Sequence, residues 1–170
     1  MTPTLVLLNG PPASGKSTLA AAFVARRPLA LNLDVDLVRG QLGRWADAPL
    51  DAGLAARRLA LVMADAHLRA GHDVVVPQFV ARPPFIDELA TVAADIGARF
   101  VEIVLVISRP DAIEAFAQRG AHEVLGGRDL GTMYDDLMRF VATRASTVRV
   151  PVERGDIDGT LQRLEAAIAP

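Results

Sequence analysis

Residues 10–18 of this chain read Gly10-Pro11-Pro12-Ala13-Ser14-Gly15-Lys16-Ser17-Thr18. The first eight match the phosphate-binding pattern G-x-x-x-x-G-K-[ST] at every fixed position. Glycines let such a loop curl, so that successive backbone N–H groups point into one concavity that suits phosphate oxygens. An apolar run over 4–9 precedes the loop and a helical pattern over 17–25 follows it, in the order that the motif requires. We therefore predict that residues 10–18 bind the phosphates of a nucleotide.

Lys16 is the single lysine among the 18 basic residues, and all the others are arginine. A compact ammonium on a flexible stem can reach between phosphate oxygens, where a planar guanidinium fits poorly. In such a loop Lys16 would bridge the β- and γ-phosphates, and the Ser17 hydroxyl would hold Mg²⁺. The alternative, a Gly/Pro turn with a solvated lysine, is disfavoured by the complete motif and its two flanking elements.

Length and composition narrow the class of protein. The chain has 170 residues, of which 51% are hydrophobic and 22% charged, so we expect one globular domain over 1–170 with a substantial core. The absence of cysteine excludes disulfides, thiolate metal sites and cysteine nucleophiles.

No basic leader and no apolar run of membrane-spanning length is present, so a cytoplasmic protein without membrane contact is expected. A net charge of −2 argues against nucleic acid as the partner, although a local arginine groove stays possible. The oligomeric state is left open.

Apolar strand-like runs alternate with helical patterns along the whole chain. The predicted strands cover 4–9, 29–33, 73–79, 100–107 and 147–152, and helical patterns separate them. Near-continuous apolar strands of this kind indicate an α/β fold with a five-stranded parallel sheet flanked by helices. In the helix predicted over 51–70, the periodicity predicts a buried face of Leu54, Leu59, Val62, Met63 and Leu68.

Two carboxylates follow the second predicted strand, where ligands gather in parallel α/β sheets. They are Asp34 and Asp36, with Arg39 one helical turn later. One carboxylate can hold Mg²⁺ directly or through water, and the other can accept a proton from an attacking hydroxyl. The alternative is a helix N-cap, which would explain one of the two but is a poor explanation for both.

These residues, taken with the loop, resemble the small P-loop kinases, and within them most of all the chloramphenicol phosphotransferase-like and polynucleotide-kinase-like groups. Shikimate and gluconate kinases are more distant relatives. The resemblance implies a three-layer, nucleoside-monophosphate-kinase-like P-loop NTPase fold that uses ATP and Mg²⁺. It further implies that Asp36 accepts the proton of the substrate hydroxyl, with Asp34 as the competitor because of its metal role. Arg39 would hold the acceptor, and residues 155–157 would lie near adenine.

The chain departs from the family pattern after the third strand. Many P-loop enzymes carry an aspartate there that supports Mg²⁺, whereas this chain has the uncharged Gln78. Metal support would then rest on Ser17, Asp34 and water, and Gln78 and Arg82 become candidates for the acceptor site. The alternatives are a solvent-facing polar strand end for Gln78 and a solvated side chain for Arg82.

Residues 119–131 contain four glycines between two helical patterns. Related kinases close a lid in this region, and its arginines touch the transferring phosphate. We therefore expect a lid over 119–131 whose Arg119 and Arg128 stabilise charge on the phosphoryl group. An ordinary surface loop with solvated arginines is the alternative.

The leading functional hypothesis is an ATP-dependent phosphotransferase that acts on a hydroxyl of a small molecule such as an antibiotic, a nucleoside or a sugar. A polynucleotide or nucleoside 5′-hydroxyl kinase would use the same machinery with an open, arginine-lined groove. An ATP-binding module without an acceptor is the third hypothesis, and it leaves the pair Asp36 and Arg39 unexplained.

Overall fold

A computed structural model describes residues 2–118 and 129–169 of the chain. Its strands are β1 (Thr4–Asn9), β2 (Leu31–Asn32), β3 (Val74–Pro77), β4 (Arg99–Val106) and β5 (Val148–Pro151). Its helices are α1 (Lys16–Ala25), α2 (Val35–Gly40), α3 (Pro49–Arg69), α4 (Pro83–Asp95), α5 (Arg109–Gln118), α6 (Leu130–Ala142) and α7 (Ile157–Ile168). A short 3₁₀ turn, Trp45–Asp47, precedes α3.

The strands form one parallel sheet in the order β2-β3-β1-β4-β5. Strand β1 lies at its centre, where Leu7 is in register with Val76 of β3 and Glu102 of β4. Residues 5–8 of β1 are fully buried, because helices cover both faces of the sheet. A strand in that position has to be apolar on both sides, which is why its sequence does not alternate. The predicted five-stranded parallel α/β fold is confirmed.

Two large apolar clusters form the outer layers with the sheet between them. On one face, β1 and β3 pack against α3 and α4, with Phe85, Ile86 and Leu89 of α4 buried there. On the other face, β1, β4 and β5 pack against α1 and α7, with Phe23 and Leu164 buried. A smaller cluster joins α6 to β4. Because all five strands are parallel, their carboxyl ends lie at one edge of the sheet, where parallel α/β folds bind ligands.

The edge strand β2 is shorter than the sequence predicts. The prediction of 29–33 gives way to Leu31–Asn32. Leu29 has a φ of 59°, which is outside the extended region, and its side chain is 70% exposed. Its apolar character made it look like part of the strand, although it lies outside the pairing with β3.

The buried face predicted for α3 is wrong for four of its five residues. Leu54, Leu59, Val62 and Met63 are exposed, and only Leu68 is buried as predicted. The side of α3 that faces the sheet consists of alanines spaced four residues apart, followed by Leu68: Ala52, Ala56, Ala60 and Ala64. Methyl side chains allow the helix to lie close against the sheet, which leaves no room there for larger groups. Hydrophobic periodicity favours large side chains for the buried face, whereas in α3 the small alanines make the contact with the sheet.

No helix among residues 2–118 and 129–169 is long and apolar enough to cross a bilayer.

Candidate active site

The segment between β1 and α1 forms a tight loop at the carboxyl edge of the sheet. Gly15, at the N-cap of α1, has a φ of 91°, which a residue with a side chain adopts only with strain. A side chain at Gly10 would place its Cβ 2.7 Å from Ser14 Oγ, so close packing excludes larger residues there. Ser14 N–H donates to the Pro11 carbonyl at 3.2 Å, which closes the turn. Both fixed glycines of the motif are thus explained by the geometry.

Lys16 lies across this loop. Its ammonium Nζ donates to the Gly10 carbonyl at 3.0 Å and to the Pro11 carbonyl at 2.8 Å. These contacts hold the ammonium at the mouth of the loop, next to the N-terminus of α1, where the helix dipole favours anions. Ser14 Oγ is buried in the same loop without a hydrogen-bond partner among the described residues. An orphaned hydroxyl and a charged donor at one concavity fit a phosphate group.

A buried amide anchors the start of the loop. Asn9 is fully buried at the end of β1, and its Oδ1 accepts the N–H of Gly10 at 2.8 Å and that of Val80 at 3.0 Å. Its Nδ2 donates to the Val80 carbonyl at 2.7 Å. Asn9 therefore ties the loop to the segment that follows β3. The sequence alone does not predict this role, and the one signal for it is a polar residue at the end of an apolar strand.

Asp34 serves two neighbours at once. Its Oδ1 accepts the N–H of Asp36 at 2.9 Å and that of Leu37 at 3.4 Å, which caps α2. Its Oδ2 lies 3.4 Å from the Ser17 hydroxyl. The sequence leaves open whether one of the two aspartates is a helix N-cap, and Asp34 is that cap. Its second oxygen nevertheless faces Ser17. A hydroxyl and a carboxylate oxygen at this spacing fit Mg²⁺, which is usually held beside phosphates by one or two protein oxygens and by water.

The second carboxylate, that of Asp36, lies beside Arg39 and not beside Ser17. Asp36 is exposed, and its Oδ1 lies 3.3 Å from Arg39 Nη1. The Arg39 guanidinium lies over the Trp45 ring, 4.8 Å from its centroid. This stacking fixes the guanidinium plane beside the carboxylate. Asp36 is therefore an accessible carboxylate with a cation next to it, and the two lie on the helix whose N-cap faces the phosphate loop.

Three buried polar atoms outside the loop lie near the same edge without a partner among the described residues. They are Oδ1 of Asn32 at the end of β2, Nε of Arg39 and Oε1 of Gln78. Gln78 follows β3, and its N–H donates to the Leu8 carbonyl at 3.2 Å. Arg82 is exposed at the N-cap of α4. Gln78 is therefore held by the sheet, whereas Arg82 projects from the surface.

A cleft of about 230 Å³ lies on the other side of the loop. It is lined by loop residues such as Ala13 and Thr18 and by the segment that follows β5, where Asp156 caps α7 through the N–H of Gly159 at 2.8 Å. Residues 155–157, which the resemblance placed near adenine, line this cleft. The cleft therefore adjoins the phosphate loop.

The predicted lid is only partly described. Arg119 and Arg128 lie outside the described residues. Asp129 caps α6 by accepting the N–H of Thr132 at 2.7 Å, and Gly131 is buried within the helix. That hydrogen bond holds the pKa of Asp129 below its ordinary value. Residues 130 and 131 of the predicted lid segment lie in the first turn of α6, and a lid over 119–131 stays a prediction.

Solved structures share this fold at low sequence identity. The tunicamycin resistance protein of Deinococcus radiodurans is 16% identical with a TM-score of 0.69, over 99% of this chain and 96% of that one. A gluconokinase from Sinorhizobium meliloti is 16% identical with a TM-score of 0.65, over 98% and 91%. The APS kinase of Mycobacterium tuberculosis, in complex with AMPPNP and APS, is 20% identical with a TM-score of 0.65, over 98% of each chain. No curated protein matches the sequence.

A family model described as an AAA domain matches residues 5–136, from β1 into α6. The matched region holds the phosphate loop, both carboxylates and Arg39. This chain therefore belongs to the AAA domain family and has the fold of the P-loop kinases.

Proposed function

We propose that this protein is an ATP-dependent kinase that transfers the γ-phosphate to a hydroxyl group of a small molecule. The observation that carries the proposal is the pair Asp36 and Arg39, at 3.3 Å, on a helix whose cap faces the phosphate loop. A protein that only binds a nucleotide does not need an accessible carboxylate and a cation beside the phosphate loop. Gluconokinase and APS kinase, named among the similar structures, support a small acceptor.

The nucleotide end of the site would work by positioning and by neutralising charge. Backbone N–H groups of residues 10–18 would hold the phosphates, and Lys16 would turn from the Gly10 and Pro11 carbonyls to the β- and γ-phosphate oxygens. Ser17 and Asp34 would hold Mg²⁺, which when bound neutralises charge on those oxygens. The cleft beside residues 152–157 would take the adenosine.

Asp36 would supply the base. It takes the proton of the acceptor hydroxyl, the freed oxygen bonds to the γ-phosphorus, and the bond from that phosphorus to the bridging oxygen breaks, leaving ADP. A positioned base of this kind contributes about 10²–10⁴-fold to rate. Arg39 would orient the acceptor next to Asp36, and Arg119 and Arg128 remain proposed donors to the transferring phosphoryl group.

The acceptor would contact polar groups that lack partners among residues 2–118 and 129–169. The Arg39 Nε–H and the Gln78 amide oxygen are buried and unpaired within this part of the chain, which is costly unless a bound molecule or a small rearrangement satisfies them. One offers a donor and the other an acceptor. A molecule that carries several hydroxyl or amide groups fits this combination, and Arg82 could add a contact from the surface.

The test is a screen for acceptor-dependent ADP release with hydroxylated antibiotics, sugars, nucleosides and 5′-hydroxyl oligonucleotides. Asp36→Asn should lower turnover at least about 10²-fold with the ATP affinity unchanged. Asp47→Asn is the matched control, because Asp47 is an exposed carboxylate paired with Arg44 at 2.6 Å in the same region. Turnover with oligonucleotides alone would favour the polynucleotide kinase. ATP binding with no acceptor in a broad screen would favour the nucleotide-binding module.

A further inference from the structure

The outer face of α3 is apolar and exposed, in a position that the kinase chemistry does not use. The helix has 21 residues, and its alanine side lies against the sheet. On the outer side, Leu59, Val62 and Met63 are 45%, 68% and 41% exposed. Large apolar side chains grouped on one face of a surface helix mark a surface that binds something.

The order of residues on this face reads the same in both directions. Ala55, Leu59, Val62 and Ala66 follow each other at spacings of four, three and four residues, which places them on one stripe of the helix. The stripe is small, large, large, small. If a second α3 packs against it antiparallel, Ala55 lies opposite Ala66 of the second copy, and Leu59 opposite Val62. Such self-complementarity is what a two-fold interface between identical chains requires.

Charges at the ends of the stripe agree with this arrangement. Asp51 and Arg69 are 18 residues apart, about five turns, so they lie on the same flank of the helix. In the antiparallel pair, Asp51 of each copy meets Arg69 of the other. In a parallel pair, like charges would meet at both ends. Arg69 is held in place by Asp65, whose carboxylate lies 2.9 Å from its Nε.

We propose that the outer face of α3 joins two copies of this chain in an antiparallel, two-fold dimer. Leu29, which is 70% exposed, lies beside the same helix, because its carbonyl oxygen lies 2.6 Å from Nε2 of His67. The helix is about 31 Å long. One helix pair of this length is smaller than a standard protein interface, so a dissociation constant in the micromolar range is expected.

The first test is sedimentation velocity between about 1 and 300 µM. The wild-type chain should pass from monomer to dimer in this range, and Val62→Glu should stay monomeric at every concentration. Leu54→Glu is the matched control, because Leu54 is 52% exposed on the same helix but lies about 100° away from the stripe. A wild-type chain that stays monomeric, or equal loss of self-association in both variants, would overturn the proposal.

The second test exchanges the charges and does not depend on an apolar-to-charged change. Asp51→Arg alone and Arg69→Asp alone should each weaken self-association about tenfold or more, because two like pairs replace two opposite pairs. In a one-to-one mixture one copy carries arginine at both positions and the other carries aspartate at both. The mixture should form a heterodimer with about wild-type affinity. Two single variants that fail to associate when mixed would show that Asp51 and Arg69 do not meet.

Discussion

Asp34 Oδ2 lies 3.4 Å from the Ser17 hydroxyl, while Oδ1 of the same carboxylate accepts the Asp36 N–H at 2.9 Å. The residue that starts α2 is thus also the residue that reaches the phosphate loop. Helix capping and metal support are alternatives from the sequence alone, but in this arrangement Oδ1 makes the cap and Oδ2 is the oxygen that the proposed metal site would use. The cap fixes Asp36 in the first turn of α2, so the position of the proposed base depends on the proposed metal ligand.

Two substitutions of Asp34 should separate these roles. Asp34→Asn keeps an oxygen for the cap and removes the charge, so it should raise the Mg²⁺ concentration needed for half-maximal activity with little change in stability. Asp34→Ala removes both and should additionally cost about 1 kcal/mol of unfolding free energy. A magnesium titration and denaturant unfolding measure the two effects. An unchanged magnesium requirement in Asp34→Asn would remove Asp34 from the metal site.

Lys16 can be probed chemically because it is the single lysine of the chain. An amine-reactive acylating reagent can modify only Lys16 and the α-amino group. ATP at about ten times its dissociation constant should slow modification of Lys16 about tenfold, since the phosphates then hold Nζ. Adenosine should give no such protection. Mass spectrometry quantifies both sites, and the α-amino group serves as the internal control.

The same residue should be essential for turnover. Lys16→Ala should abolish measurable phosphoryl transfer and leave the fold intact, because the ammonium donates to the carbonyls of Gly10 and Pro11 in the loop and the residue belongs to neither large core cluster. Near-normal turnover by this variant with any acceptor would contradict the proposed kinase. Circular dichroism shows whether the loss is one of folding.

The sequence predicted those parts of the fold that depend on strong local patterns. The phosphate loop, the order of the elements and the parallel sheet follow from glycines at required positions and from apolar runs buried on both sides. The face of α3 could not be predicted in the same way, because its contact with the sheet depends on alanines whose burial only the packed neighbours decide. The role of Asn9 could not be predicted for a similar reason, because its partner Val80 lies 71 residues away in the sequence. The proposed acceptor site rests on buried atoms of Arg39 and Gln78 that lack a partner in the described part of the chain, and this lack is visible only in three dimensions.

Asn9 should be far more important for stability than its strand position suggests. Asn9→Ala leaves the N–H of Gly10 and both backbone groups of Val80 unpaired in the interior, and we expect a loss of about 2–4 kcal/mol in unfolding free energy. ATP affinity should fall as well, because Gly10 begins the phosphate loop. Asn32→Ala in β2 is the matched control, since its Oδ1 already lacks a partner among the described residues. Equal losses of unfolding free energy in the two variants would show that the hydrogen bonds of Asn9 add no stability beyond that of an unpaired asparagine.

A buried ion pair between Glu102 of β4 and Arg144 should affect the stability of the protein but not its activity. Glu102 is 4% exposed, and its carboxylate accepts from Arg144 at 2.8 Å and 2.9 Å and from the Thr147 hydroxyl at 2.9 Å. These contacts raise the pKa of Arg144 above its ordinary value, so the arginine stays charged throughout the physiological range. They tie the segment after α6 to the middle of the sheet, away from the carboxyl edge that carries the proposed site.

Arg144→Met should therefore destabilise the protein by about 3–5 kcal/mol, because it leaves a carboxylate buried without its partner. Arg139→Met in α6 is the control: Arg139 pairs with Asp136 at 3.0 Å, but its side chain is 75% exposed, so the expected loss is below about 1 kcal/mol. Denaturant unfolding measures both. Below the melting temperature, the Michaelis constant for ATP should be unchanged in Arg144→Met, since no proposed nucleotide contact involves this pair. A loss no larger than that of the Arg139 variant would mean that water or a neighbouring group compensates the Glu102 charge.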